Sequence, residues 1–188
     1  VADTVGAESV LTFHAEAGAD YTASIYDVDF RGNRSFIYQI SFLAGPHVVA
    51  TLPAAGRRGE KQTVKLLGYG VETGSSKLES VTREIDFPRN LQQTSFTYQL
   101  ETPFGKAAPV NLLISNLREK MEPVDTSSGV QKLTLPVAVT GTIDRPFGSD
   151  RYRCSGNRGD VWRIEVQAAQ IGSSLDVSLA IEDAQQKE

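Results

Sequence analysis

The side chains that could act as a general base beside a nucleophile in this sequence are its two histidines, His14 and His47. A hydrolase of the serine type needs a nucleophile, an imidazole base and an acid that orients the base. The sequence has no Gly-x-Ser-x-Gly elbow to present a serine nucleophile. His14 lies in the strand-like segment 11–15, which predicts a surface position, and His47 lies in a predicted loop. Both positions favour ordinary surface histidines over catalytic ones.

The chain has one cysteine, Cys154, which therefore forms neither a disulfide within the chain nor a multi-cysteine zinc site. A cysteine nucleophile needs a thiol of lowered pKa and a partner histidine. Cys154 alternates with Tyr152 in a predicted short strand. This pattern predicts a buried, unreactive thiol.

Paired carboxylates could serve either glycosidase chemistry or metal binding. Acidic residues at strand ends and turns are ordinary, and no spacing rule singles out one of the pairs Asp27/Asp29, Asp144/Asp150 and Glu182/Asp183. Calcium takes carboxylate and carbonyl oxygens from loops. Glu122 and Asp125 lie three residues apart in a proline-containing loop, and Asp144 and Asp150 lie in a later loop, but the sequence does not place these loops together.

Composition limits the classes of partner. The 188 residues carry a formal net charge of −4, which argues against nucleic acid as a partner. Five arginines between positions 145 and 163 predict either a solvated sheet face or a polyanion-binding patch. The sequence contains no run of about 18 apolar residues, so we expect no membrane-spanning helix.

The elements that would position these residues are strands, because hydrophobic and polar residues alternate along much of the chain. Turn signals rich in Gly, Pro, Asn and Asp separate the alternating segments, which predicts an all-β sandwich or barrel. The predicted strands include 21–28, 35–42, 62–67, 94–101, 133–140, 151–154, 161–168 and 175–182. Val110–Met121 fits either a short amphipathic helix or a strand, and the spacing alone leaves both open.

The order of motifs near the end of the chain resembles a known family. Gly-Thr-Ile, Asp-x-Tyr-Arg, Ile-x-Val and a final Leu-Asp-x-x-Leu-x-x-x-Asp follow one another within 133–188. This layout resembles the first half of a bacterial pre-peptidase C-terminal (PPC) domain. The beginning of the chain, with Gly18–Asp27, Phe30–Gly32 and Phe36–Ile40, looks like the other half of such a domain.

The middle of the chain resembles an immunoglobulin-like (Ig-like) module of the IPT/TIG kind, on the motifs Pro53–Gly59 and Val64–Gly70. The resemblance divides the chain into the end of one PPC-like domain, a connector and the start of the next domain, at 1–45, 46–108 and 109–188. Val110–Ser115 then becomes the last strand of the connector. The implied fold is an antiparallel PPC or jelly-roll-like β-sandwich plus an Ig-like β-sandwich. Alternatively, 109–188 and 1–45 pair as one permuted sandwich.

Such modules alternate in large secreted proteins of planctomycete-type bacteria. The resemblance therefore implies a fragment of an extracellular or cell-surface protein, and the first residue, Val1, agrees with a chain cut from a longer one. Some PPC-like domains bind calcium through a Glu-x-Glu-Pro-Asn-Asp motif. The sequence matches it at Glu122, Pro123 and Asp125 but has Lys120 and Val124 at the other donor positions. No other cofactor is implied.

The resemblance implies a non-catalytic accessory region that contacts a polysaccharide or protein polymer, or spaces neighbouring domains. Exposed aromatic residues stack on sugars or peptides, and the candidates are Tyr26, Phe30, Tyr38, Tyr152 and Trp162. Core packing is the alternative role for these side chains, and Trp162 in particular begins a long apolar run. A hydrolase fragment with its own catalytic residues is the alternative function.

Overall fold

The computed structural model describes residues 11–122 and 129–183, and the regular structure there is almost entirely β-strand. This confirms the predicted all-β class. One 3₁₀ turn, Ala169–Ile171, lies late in the chain. The strands are β1 His47–Leu52, β2 Ala55–Arg57, β3 Lys61–Tyr69, β4 Leu78–Asp86, β5 Ser95–Tyr98, β6 Glu101–Thr102, β7 Gly105–Lys106, β8 Val110–Ser115, β9 Glu119–Met121, β10 Gln131–Lys132, β11 Ala138–Thr140 and β12 Tyr152–Arg153.

Two three-stranded sheets form the centre of the molecule. The first sheet has the order β1-β3-β4, with both pairings antiparallel. The second sheet has the order β2-β8-β5, in which β5 is antiparallel and β2 parallel to β8. Strands β6 and β7 form a short antiparallel hairpin between β5 and β8 along the chain.

The hydrophobic core lies between the two sheets. Val64 and Leu66 alternate along β3 and are fully buried, and Leu112 of β8 is equally buried from the other sheet. Two groups of packed side chains result: Val48, Leu66, Val71, Leu100 and Ala107 form one, and Val64, Ile85, Phe87, Leu112 and Ile114 form the other. Burying a large aliphatic side chain contributes about 1.5–3 kcal/mol, so this sandwich is the stable centre of the described chain.

The strand predictions for the middle of the chain hold, and the structure adds strands that alternation did not reveal. Segments 62–67 and 94–101 correspond to β3 and to β5 with the start of β6. The loop prediction for His47 is wrong, because His47 begins β1. The turn signals at 53–59 contain the short strand β2. Edge strands with mixed polarity carry a weaker alternation signal, because only one of their faces is partly covered.

The strand interpretation of Val110–Ser115 is confirmed, and the helical alternative is wrong. β8 is the central strand of the second sheet, and both of its neighbours come from the middle of the chain. The predicted boundary between residues 108 and 109 lies just before β8. Both strands that are hydrogen-bonded to β8 therefore come before that boundary in the sequence.

Four predicted strands on either side of the sandwich have no strand partner in the structure: 21–28, 35–42, 161–168 and 175–182. Alternation shows only that a segment has an apolar face, whereas a strand also needs a hydrogen-bonding neighbour. Their apolar side chains are largely exposed, including Ile37 at 88% and Val161 at 96%. Within 11–122 and 129–183, no strand pairing joins the two flanking segments as a permuted sandwich would require.

The first part of the final segment lies against the sandwich. β11 pairs in parallel with β9, and the Thr140 hydroxyl accepts a hydrogen bond from the Ala54 amide at 3.2 Å. β10 pairs in parallel with β12. These strands are shorter than the predicted strands 133–140 and 151–154, and their pairing is parallel rather than antiparallel. In the part of the chain that is described, no helix is long and apolar enough to cross a membrane.

Candidate functional site

The aromatic residues Tyr26 and Phe30 form a stacked pair on an exposed turn. Their rings are parallel to within 1°, with centroids 5.5 Å apart. The Phe30 amide donates to the Asp27 carbonyl at 2.8 Å, which closes the turn between the two rings. Phe30 has a φ of 54°, a left-handed conformation that is uncommon for a non-glycine residue. This backbone shape brings the Phe30 ring back over Tyr26.

Arg31 fixes the same turn through two carboxylates. The Asp27 Oδ2 atom accepts hydrogen bonds from the Arg31 amide at 3.1 Å and from its Nε at 3.2 Å. The Arg31 guanidinium also lies 2.9 Å from Asp29 Oδ2. The hydrogen bonds from Arg31 hold the pKa of the Asp27 carboxyl below its ordinary value. The side chain of Arg31 therefore holds the turn in one geometry.

The pair offers aromatic surface to a ligand. Tyr26 is 63% exposed and Phe30 is 83% exposed, so the face of each ring that is turned away from its partner is open to solvent. An exposed aromatic face can stack on the apolar face of a sugar ring or on a proline ring. The phenol hydroxyl of Tyr26 adds a hydrogen-bonding group at the edge of the stack.

The other three predicted aromatic residues lie elsewhere. Tyr38 is exposed in the segment after the turn, and Tyr152 and Trp162 are more than one-third exposed. The Trp162 indole packs against Gly156, where an added Cβ would lie 2.3 Å from the ring. The expectation that Trp162 lies in a core is wrong, because it belongs to neither buried cluster.

Glu122, Asp150 and Tyr152 come together around Gly141. A Cβ on Gly141 would lie 2.8 Å from Glu122 Oε2, 2.9 Å from the Tyr152 hydroxyl oxygen and 3.3 Å from Asp150 Oδ2. Glu122 Oε2 also accepts a hydrogen bond from the Thr142 amide at 3.1 Å. The absence of a side chain at Gly141 is what allows three oxygen-bearing side chains to meet here.

The pKa values of Glu122 and Tyr152 in this cluster are raised, which favours the neutral form of each group. Burial raises the pKa of the Glu122 carboxyl, and the Asp150 and Asp144 carboxyls raise it further, while the Thr142 amide opposes both effects. Burial also raises the pKa of Tyr152 to about 12, with smaller contributions from Glu122 and Asp150. The closeness of the Asp150 carboxyl is therefore one of the causes that favour the neutral form of Glu122.

The calcium prediction at Glu122 and Asp125 lies only partly within the described residues. Calcium takes six to eight oxygen ligands, and the described cluster brings the Glu122 and Asp150 carboxyls and the Tyr152 hydroxyl together around Gly141. Within 11–122 and 129–183, no group of three or more His, Cys, Asp or Glu side chains is arranged to hold a metal ion. The second predicted ligand, Asp125, lies outside the described residues.

The histidines and the cysteine lie apart from these clusters. His14 is exposed and His47 is half-buried, and neither imidazole has a hydrogen-bond or ion-pair partner among residues 11–122 and 129–183. Cys154 is half-buried and unpaired, outside the two core clusters, so the expectation of a fully buried thiol is wrong.

Sequence reasoning identified the aromatic residues but missed the groups that order them. The sequence placed Arg31 in the Phe30–Gly32 motif without assigning it a contact, although the Asp27-to-Arg31 spacing was a signal for a carboxylate-closed turn. The meeting of Glu122 with Asp150 depends on the β9–β11 pairing and carried no sequence signal. Comparisons with protein-family models, curated proteins and solved structures find no significant match.

Proposed function

We propose that this chain is a non-catalytic accessory region of a bacterial protein that is secreted or held at the cell surface, and that it contacts a polymeric substrate. The observation that carries the proposal is the stacked pair of Tyr26 and Phe30, held on its turn by Arg31 and open to solvent. The motif order described above, which resembles PPC-like halves around an Ig-like module, supports the same function.

The central sandwich and the flanking segments differ in what they expose. The core of the sandwich is complete between the two sheets, while the flanking segments carry the exposed aromatic residues. The flanking segments also expose apolar side chains such as Ile37 and Phe42. Exposed apolar surface on this scale marks interaction sites, which supports contact with neighbouring domains of a longer chain as well as with polymer.

The test measures retention of the full chain on insoluble cellulose, chitin and collagen. The informative variant is Phe30→Asn, because asparagine tolerates the left-handed conformation and removes the ring. Phe147→Asn is the matched control, since Phe147 is also fully exposed and has a φ of 61°. We expect the wild type and Phe147→Asn to be retained on the same polymer, and Phe30→Asn to be released.

The outcomes distinguish contact with a polymer from the role of a spacer between domains. If Phe30→Asn is retained as well as the wild type, the stacked pair is not the contact surface and the assignment of the site fails. If the wild type is retained on none of the three polymers, contact of this chain with cellulose, chitin or collagen is refuted and the spacer role is favoured.

A further inference from the structure

The two segments that flank the central sandwich, the N flank at 11–45 and the C flank at 145–183, each carry a row of apolar side chains. In one part of each flank every second residue is large and apolar, which places these side chains on a single face when the segment forms a strand. The N stripe consists of Phe36, Tyr38, Ile40 and Phe42, and the C stripe of Leu175, Val177, Leu179 and Ile181.

The part of the chain that the structure describes leaves both stripes uncovered. Their side chains are between 39% and 77% exposed. Neither 35–42 nor 175–182 pairs with another strand within 11–122 and 129–183. Polar residues such as Gln39 and Ser178 stand between the apolar ones. A segment with one apolar face and no strand partner is suited to complete a sheet with another chain.

The two flanks also contain stretches of opposite charge. Residues 11–30, the acidic stretch, contain four Asp or Glu and no Lys or Arg, for a net charge of −4. Residues 145–163, the basic stretch, contain five Arg and two Asp, for a net charge of +3. Surfaces of opposite charge attract each other and set which face meets which. The acidic stretch is therefore complementary to the basic one.

Part of this charge is left unpaired by the chain itself. The acidic stretch has Glu16 and Asp20, and the basic stretch has Arg145, Arg153 and Arg158, as exposed side chains without an ion-pair partner among the described residues. These groups are therefore available to a partner of the opposite charge.

An ion pair links the C stripe to the basic stretch. Arg151 Nη2 lies 2.7 Å from Glu182 Oε2, directly after the last residue of the stripe. Arg151 precedes β12, which ends at the unpaired Arg153. The apolar row and the free positive charge of the C flank therefore lie next to each other and can meet one partner together.

A second copy of the chain carries both complementary surfaces. Within one described chain, no strand pairing joins the two flanks, whereas the N flank of one copy and the C flank of the next match in both apolar pattern and charge. We propose that copies of this chain associate head to tail, with the N stripe of one copy packed face to face against the C stripe of the next. Such a contact is heterologous and builds a ring or an open filament. This inference goes beyond polymer contact and does not depend on it.

The first experiment is sedimentation equilibrium of the full chain over a wide range of protein concentrations. We expect a mass that rises reversibly above the 20.4 kDa of one chain, and that falls again in high salt because salt screens the attraction between the flanks. Hydrogen exchange measured by mass spectrometry should show amides of 35–42 and 175–182 protected in the concentrated sample and exposed in the dilute one.

Paired variants at neighbouring positions test the stripes. Ile40→Asp places a charge in the N stripe, and Val177→Asp places one in the C stripe. Each should weaken association by about tenfold or more, because the charge would be buried in an apolar interface. The matched controls Gln39→Asp and Ser178→Asp add the same charge on the other face of each segment and should leave association unchanged. Equal urea midpoints of the variants and the wild type would show that the central sandwich is folded.

Charge reversal tests the head-to-tail arrangement. E16K/D20K reverses the free charge of the acidic stretch, and R153E/R158E reverses that of the basic stretch. Each protein alone should associate more weakly than the wild type. An equal mixture of the two should associate again, because each reversed flank then meets a flank of opposite charge.

Several results would overturn the inference. A wild type that keeps the mass of one chain at all concentrations refutes it, and protection of both flanks in that monomer would assign their pairing to a single chain. Association that leaves 35–42 and 175–182 unprotected refutes it as well, as does aggregation that dilution does not reverse. Equal effects of Ile40→Asp and Gln39→Asp would refute the packing of the stripes, and a mixture of charge-reversed proteins that stays dissociated would refute the head-to-tail contact.

Discussion

The ring of Phe87 lies directly against the backbone of Gly56. A Cβ at position 56 would fall 2.3 Å from the Phe87 Cζ atom and within 2.5 Å of two further ring atoms. Gly56 is in β2, and Phe87 follows β4 in the buried cluster that joins the two sheets. The close approach of β2 to the core therefore depends on glycine at this position.

Gly56→Ala should destabilise the central sandwich. The added methyl cannot fit without moving Phe87, and overpacking of this kind costs about 1–3 kcal/mol. The measurement is the urea midpoint of unfolding, followed by fluorescence or circular dichroism. Gly32→Ala is the control, since nothing lies within 4 Å of its added Cβ. Equal midpoints for the two variants would contradict the packing described here.

Arg31→Gln should raise the pKa of the Asp27 carboxyl toward its ordinary value of 3.8. In the folded wild type this pKa is lowered, so the stability contributed by the Asp27–Arg31 contact is present above pH 3.8 and is lost as the pH falls through the folded pKa. Carboxyl chemical shifts measured by nuclear magnetic resonance report the titration. Arg34→Gln, a neighbouring exposed arginine, should leave the Asp27 titration unchanged; a shift of equal size in both variants would rule out the specific contact.

The central sandwich was predictable because each of its strands pairs with other strands from the same part of the chain. Val64 and Leu66 alternate along β3, and Leu112 and Ile114 alternate along β8, so the same pattern that suggested strands also formed the core. The flanking segments show similar alternation. These segments nevertheless pair with no other strand of the described chain, and a segment such as 161–168 stays exposed.

The candidate sites were predictable only where neighbours in sequence form them. Tyr26 and Phe30 lie within one turn, so their stacking could be anticipated from local residues. One surface depression is lined by residues between Arg57 and Gln62, which precede β8 in the sequence, and by Arg118 and Glu119, which follow it. Only the pairing of the strands shows that these groups lie around one space. Nothing in the sequence indicates that the Arg118 side chain has no partner among the described residues.

Glu122→Gln should make stability less dependent on pH in the weakly acidic range. The folded pKa of Glu122 is raised above its ordinary value of 4.5, so its contribution is complete below pH 4.5 and is lost as the pH rises through the folded pKa. Urea midpoints of the wild type should therefore fall relative to those of the variant as the pH rises from 4.5. Parallel midpoint curves for the two proteins would contradict the raised pKa of Glu122.

Tyr152 should ionise well above the ordinary range of a tyrosine. Its pKa of about 12 lies above the ordinary 10.0 because burial and the charges of Glu122 and Asp150 disfavour the phenolate. Tyr152→Phe should remove a step near pH 12 from the ultraviolet tyrosinate titration. Glu122→Gln should move that step to lower pH without removing it, since one of the two neighbouring charges is lost.

The same shift predicts how alkali affects folding. Between pH 10.0 and about 12 the unfolded chain loses the Tyr152 proton while the folded chain keeps it, so the stability contributed by the neutral phenol is lost as the pH rises through that range. Tyr152→Phe should flatten this part of the stability curve, and Tyr38→Phe, which alters an exposed tyrosine, should not. A tyrosinate titration in which Tyr152→Phe removes an early step would contradict the cluster around Gly141.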